Sequence, residues 1–219
     1  MSGIVGSRHN IRGSGLVGSL GTDGQVFTSA GAGTGAGFED AAGGGAWNFI
    51  KSQTASDAAS VEFKHGTADV TLDSTYAVYK IYGYNIVAAT DNSFVKIELS
   101  TDAGSNYLTS GYDTIGPTSH TGEAIFLSSS TDGAMNLDDV GNATDESAAF
   151  EWTIVNPSGS AERPTYWHNG VTTNFEGRTI HHTGGGMYEG SALDIDAIKI
   201  LQTSGNISGV FKLYGLSGS

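Results

Sequence analysis

Four consecutive residues, Tyr166-Trp167-His168-Asn169, combine the groups a sugar site needs. Flat aromatic rings meet the apolar faces of a pyranose, and polar neighbours donate and accept hydrogen bonds at its edges. The cluster follows Pro164, with Glu162 and Arg163 close by. On an extended strand Tyr166 and His168 share one face, and Trp167 and Asn169 share the other. Only one pair then faces a ligand. Trp167 with Asn169 is the better pair, because indole offers the larger stacking surface and an amide both donates and accepts. Core or subunit-interface packing competes with this reading, and buried aromatics favour it for Tyr166 and Trp167.

Other candidate chemistry is thinner. His181 and His182 are adjacent on an expected strand, so they point to opposite faces and do not both ligate one metal. His168 with one of them is a conceivable metal or polar contact, but hydrogen-bonded histidines are favoured because no ligand set is visible. The acidic stretch Asp132 to Glu146 offers oxygen ligands, yet lacks the spacing of a calcium loop with its closing Glu, and reads as a solvated loop. Asp194 and Asp196 share the wet side of an alternating segment, which explains them without invoking paired catalytic carboxylates. Gly13-Ser-Gly15-Leu-Val-Gly18 and Gly31-Ala-Gly33-Thr-Gly35-Ala36 imitate nucleotide loops, but neither is followed by a helical pattern. The reading is therefore a protein with no catalytic residues, no cofactor and no metal, and not an enzyme.

The elements that must position these residues are strands. Short runs rich in β-branched and aromatic residues recur from Trp47 onward: 47–53, 61–63, 76–87, 94–100, 123–128, 148–155, 165–168 and 178–183. Turn chemistry separates them, as in Ser100 to Asn106. The stretch 129–147 reads as a loop, and Gly184-Gly185-Gly186 as a bend. At the end, 192–201 and 210–214 around the Gly/Asn-rich 204–209 predict a hairpin. The fold expected is all-β, a jelly-roll-like β-sandwich over residues 47–219.

Composition narrows the function. The formal charge of −13 argues against a nucleic-acid binder, which displaces counterions with basic surface. No apolar run is long enough for a transmembrane helix, no secretory leader is visible, and cysteine is absent.

Residues 1–46 differ in texture. Glycine recurs every few residues, and apolar residues such as Leu16, Leu20, Val26 and Phe27 stand singly or in pairs. Arg8 and Arg12 precede the first acid, Asp23, and suit docking on an acidic neighbour. Glycine loses the most entropy on ordering, so such a segment needs a partner surface. We read it as an extended attachment and oligomerisation arm that buries its apolar residues against other chains.

The segment Leu20-Gly-Thr-Asp-Gly-Gln25-Val26-Phe27-Thr-Ser-Ala-Gly-Ala-Gly33 resembles the LGTxGQVLxSxGxG segment that recurs in tail-fibre and other virion appendage proteins of tailed bacteriophages. The opening MSGIVGSRHNIRGSGLVGSLGTDGQVF is similar to the N-terminal segment of appendage-like proteins of marine phages. The resemblance covers about the first fifth of the chain and implies a virion component, with a distal β-rich domain in a homotrimeric assembly. Its partners would be copies of itself, other virion proteins and a host surface glycan. A tail fibre or appendage leads. A capsid decoration (cement) protein and a carbohydrate-binding module are the alternatives.

Overall fold

The computed structural model describes residues 25–28, 37–40, 46–120, 126–159, 161–190 and 193–216. The chain divides into two compact units, Met1–Ala46 and Trp47–Ser219. In the first, β1 (Gln25–Thr28) pairs antiparallel with β2 (Gly37–Asp40), placing Phe27 opposite Phe38. The two rings meet edge to face at 5.2 Å between centroids. These positions, within the segment read as an extended arm, form a short paired ribbon. Arg8, Arg12, Leu16 and Leu20 lie outside the described residues, as does the side chain of Val26.

The second unit is a β-sandwich. Its strands are β3 (Trp47–Ala58), β4 (Val61–Lys64), β5 (Val78–Ala88), β6 (Ser93–Ser100), β7 (Tyr112–His120) and β8 (Phe126–Ser130). There follow β9 (Met135–Val140), β10 (Ala148–Val155), β11 (Thr165–Thr173), β12 (Thr179–Tyr188), β13 (Ala197–Gln202) and β14 (Ile207–Leu216). One sheet has eight strands in the order β3-β14-β5-β10-β11-β12-β7-β8, and the other has four, β4-β13-β6-β9. Every pairing is antiparallel.

Alternation builds the core. Phe211 and Leu213 on β14, Tyr79 and Ile81 on β5, and Phe150, Trp152 and Ile154 on β10 face inward from the large sheet. They meet Val95, Ile97 and Leu99 of β6, Leu137 of β9 and Ile198 and Ile200 of β13. Burying each such side chain contributes about 1.5–3 kcal/mol. Polar ends of buried aromatics are satisfied across the gap. Trp152 Nε1 donates to the Ala134 carbonyl at 3.1 Å, and Tyr112 OH accepts from the Leu99 N–H at 2.9 Å while donating to the Leu108 carbonyl.

Four expectations are corrected. The stretch read as a loop, 129–147, contains β9, an edge strand of the four-stranded sheet whose Met135 and Leu137 are buried. Its apolar positions are spaced by acids and Asn136, which hides them among polar residues. Gly184, Gly185 and Gly186 form no bend and lie inside β12. They are needed there because a Cβ on Gly186 would stand 1.7 Å from the Asp113 carbonyl oxygen, and one on Gly184 would stand 2.8 Å from His168 Cε1. The expected terminal hairpin does not pair. β13 bonds to β4 and β6 in the small sheet, whereas β14 bonds to β3 and β5 in the large one, so 203–206 crosses between sheets. Both strands alternate in the same way, and alternation does not name a partner. Finally, β7 went unread: after Tyr112 its inward positions are Thr114, Gly116 and Thr118, so it lacks an apolar stripe.

Candidate functional site

The outward side of the eight-stranded sheet carries six of the eight large hydrophobic side chains exposed among the described residues: Trp47, Phe49, Tyr82, Ile115, Trp167 and Val171. Register aligns them. Tyr214 lies beside both Phe49 and Lys80, Lys80 beside Thr153, Thr153 beside Trp167, and Trp167 beside Gly185, which faces Ile115. The outward side of the small sheet is built differently. There Glu62, Lys199 and Glu98 are register neighbours, and Lys199 bonds Glu98 at 2.5 Å while Lys96 bonds it at 3.0 Å. One outer surface is a charge ladder and the other is aromatic.

Within the aromatic side runs a trough of ≈ 380 Å³ along β10. Its bed is low at Ala149 of β10, with Glu151 beside it, between Tyr82 and Tyr84 of β5 and Asn169 and Val171 of β11, and His181 of β12 lies beyond. Two glycines, Gly83 and Gly170, lie under it, facing the core. A Cβ on Gly83 would stand 2.5 Å from Phe150 Cε1, and one on Gly170 would stand 2.7 Å from Leu137 Cδ2. Core side chains therefore press against the sheet backbone beneath the trough.

A bulge sets the phase of the tyrosine wall. Between Gly83 and Ile86 the β5 strand spans three residues where β10 spans two, Phe150 to Ala148. The extra residue is Asn85, held at φ 53°. Asn tolerates this left-handed region better than most residues. Strict alternation would send Ile86 to the same side as Tyr82 and Tyr84. The bulge returns Ile86 and Ala88 to the core while both tyrosines stay outside.

The trough's polar groups are held before any ligand arrives. Lys80 Nζ bonds Glu151 Oε1 at 2.8 Å, and the same ammonium lies 4.5 Å from the Trp47 ring centroid and 5.5 Å from that of Tyr82. Partial burial disfavours the Glu151 charge, but hydrogen bonds from Lys80 and Tyr82 overcome it and hold the carboxyl below its usual range. Burial and that carboxylate together push the Tyr82 phenol up, so it stays a neutral donor. Tyr82 also meets Tyr214 edge to face at 5.8 Å, and Lys212 lies 5.5 Å from the Tyr84 centroid. His181 Nε2 and Asn169 Oδ1 are 2.8 Å apart. The amide oxygen accepts, so Nε2 carries a proton and the amide N–H pair is left as donors.

The tetrad Tyr166 to Asn169 is split by the strand. Trp167 is 47 % exposed and Asn169 is exposed, both on the outer surface, with Asn169 in the trough and Trp167 one outward position along β11. Tyr166 and His168 are buried between the sheets, out of reach of a ligand on that surface. Tyr166 OH bonds Thr114 Oγ1 at 2.8 Å and donates to the Met187 carbonyl, and burial pushes its phenol up. His168 is neutral, because burial lowers its pKa to about 4, and its Nδ1 has no partner. His182 faces inward near Thr172, on the opposite side from His181. Among the described residues no three His, Asp or Glu side chains converge as metal ligands. Asp196 serves the fold instead, accepting from the Ala103 N–H at 2.8 Å. Tyr82, Tyr84 and Glu151 are trough residues that the sequence reading missed, and His181 was weighed there only as a contact partner of His168. The alternation of Lys80, Tyr82 and Tyr84 was its available signal.

No protein-family model matches the chain, and no curated protein matches it.

Proposed function

We propose that this chain is a structural protein of a tailed-phage virion, a subunit of a homotrimeric tail fibre or appendage. Residues 1–46 attach it to other virion proteins and to its own copies, and the sandwich stands outward where it contacts the host surface. Its role is mechanical and recognitional, without catalysis, nucleic-acid binding or insertion into a membrane. The observation that carries the reading is the division of labour along the chain. Among the described residues the buried apolar core lies in 55–213, within the second unit, which supports a separate task for the glycine-rich first unit. The resemblance of Leu20–Gly33 to appendage segments says what that task is.

Antibody against the sandwich, imaged by electron microscopy on intact particles, should label a tail appendage at regular positions. Light scattering on the full-length chain should give a mass of about three subunits, as a closed cyclic trimer requires. Labelling spread evenly over the capsid would move the assignment to a decoration protein, and absence of label from purified particles would overturn it.

A further inference from the structure

We infer that the trough over β10 binds a linear, uncharged saccharide, with a sugar ring lying between the tyrosine wall of β5 and the Asn169–His181 wall. The inference rests on the reading of the sandwich as the host-facing unit and names the ligand class of that unit.

Three observations converge on a polyol. The first is shape. β5 and β11 flank β10 at two strand spacings, about 10 Å in all, and the small Ala149 side chain leaves that width open above β10 as a furrow. A furrow of this form accepts an unbranched chain and offers no enclosed end for a compact metabolite. The second is chemistry. Tyr82 and Tyr84 supply ring surface for the apolar C–H face of a pyranose, while the Asn169 amide hydrogens, the His181 ring and the Glu151 carboxylate supply polar partners at its hydroxyl-bearing edge. The third is charge. The chain carries 23 acids, yet the outward positions of β5, β10, β11, β12 and β14 hold one acid, Glu151, and Lys80 neutralises it. A lining without net charge suits an uncharged ligand.

Preorganisation separates this site from a mere apolar patch. Tyr82 is fixed by Glu151, Lys80 and Tyr214, and Asn169 by His181. Groups already held in place lose little entropy when a ligand arrives, which matters for sugars, whose hydroxyl groups exchange one set of hydrogen bonds for another.

The test uses the full-length chain, titrated by tryptophan fluorescence and calorimetry with cellohexaose, laminarihexaose, xylohexaose and mannohexaose. At least one should bind with a dissociation constant of millimolar or below. Tyr84→Ala and Asn169→Ala should each weaken that binding tenfold or more, while subunit mass and melting temperature stay as in the parent chain. Failure of all four probes to bind, or binding that survives both substitutions, overturns the inference. So does a trough that hydroxyl-radical labelling finds protected in the oligomer and open in the dissociated chain, since a second copy then occupies it. Incorporation of Tyr84→Ala chain into particles is scored in parallel. Normal incorporation without saccharide binding by the parent chain refutes the trough and leaves the virion reading standing. Saccharide binding by a chain absent from particles does the reverse.

Discussion

His168 and Trp167 are neighbours in sequence that meet opposite environments, and each makes a prediction. His168 sits neutral between the sheets, its pKa lowered by burial from 6.5 to about 4. The unfolded chain therefore takes up the proton more readily, and stability is fully present above the unfolded value and lost as pH falls towards the folded one. His168→Phe removes that titration. The gap in unfolding free energy between parent and variant should change in the variant's favour by about 3 kcal/mol between roughly pH 7 and pH 4, read from urea midpoints. An unchanged gap would mean that the ring is already charged or hydrated in the fold. Trp167 stands half out of the sheet, one outward position from the trough, so Trp167→Ala should weaken binding to host cells or extracted surface polysaccharide while lowering Tm by no more than a few degrees. If the substitution unfolds the sandwich, or breaks the oligomer, Trp167 is a packing residue.

At the scale of elements, the strands β11, β12 and β7 are joined through glycine rather than through a stripe of large side chains. A Cβ on Gly116 of β7 would stand 1.9 Å from the Thr183 carbonyl oxygen and 2.5 Å from the Gly184 Cα. Both are backbone atoms of β12 and cannot swing aside. Gly116→Ala should accordingly cost about 2–3 kcal/mol or more in a denaturant titration. Gly37 has nothing within 4 Å of its Cβ position, so Gly37→Ala should stay within about 0.5 kcal/mol. Equal effects at the two sites would show that the close approach of β7 to β12 is absent in solution. The bulge at Asn85 acts on the same scale. One extra residue decides which side of β5 every later side chain occupies, and so keeps Ile86 in the core beside an exposed Tyr84.

For the whole molecule, the two outer surfaces of the sandwich have opposite characters, aromatic on the large sheet and charge-laddered on the small one. Large exposed apolar surface marks a place of contact, so orientation within an assembly should follow this asymmetry. The division at Ala46–Trp47 leads to the last prediction. A chain lacking residues 1–46 should remain soluble and give the β-type circular dichroism spectrum of the full-length protein, because its core is complete. It should no longer join particles in an incorporation assay. Loss of the β spectrum on deletion would show that the first unit shares in the core.

The sequence alone determined the all-β class, the sandwich, and which side of β11 each of Tyr166, Trp167, His168 and Asn169 occupies. These follow from local physics, since a strand's alternation is fixed by its own backbone and composition rules out competing helices. It did not determine the partners of strands. β13 and β14 read as one hairpin and belong to different sheets, because pairing is settled by which surfaces bury the most apolar area across the whole chain. Strands without an apolar stripe, β7 and the glycine part of β12, stayed hidden because their stability comes from neighbours and close backbone approach. The trough was invisible for the same reason. Tyr82, Glu151, Asn169 and His181 lie on four strands separated by up to 99 positions of sequence numbering, and only the register of β5, β10, β11 and β12 brings them side by side.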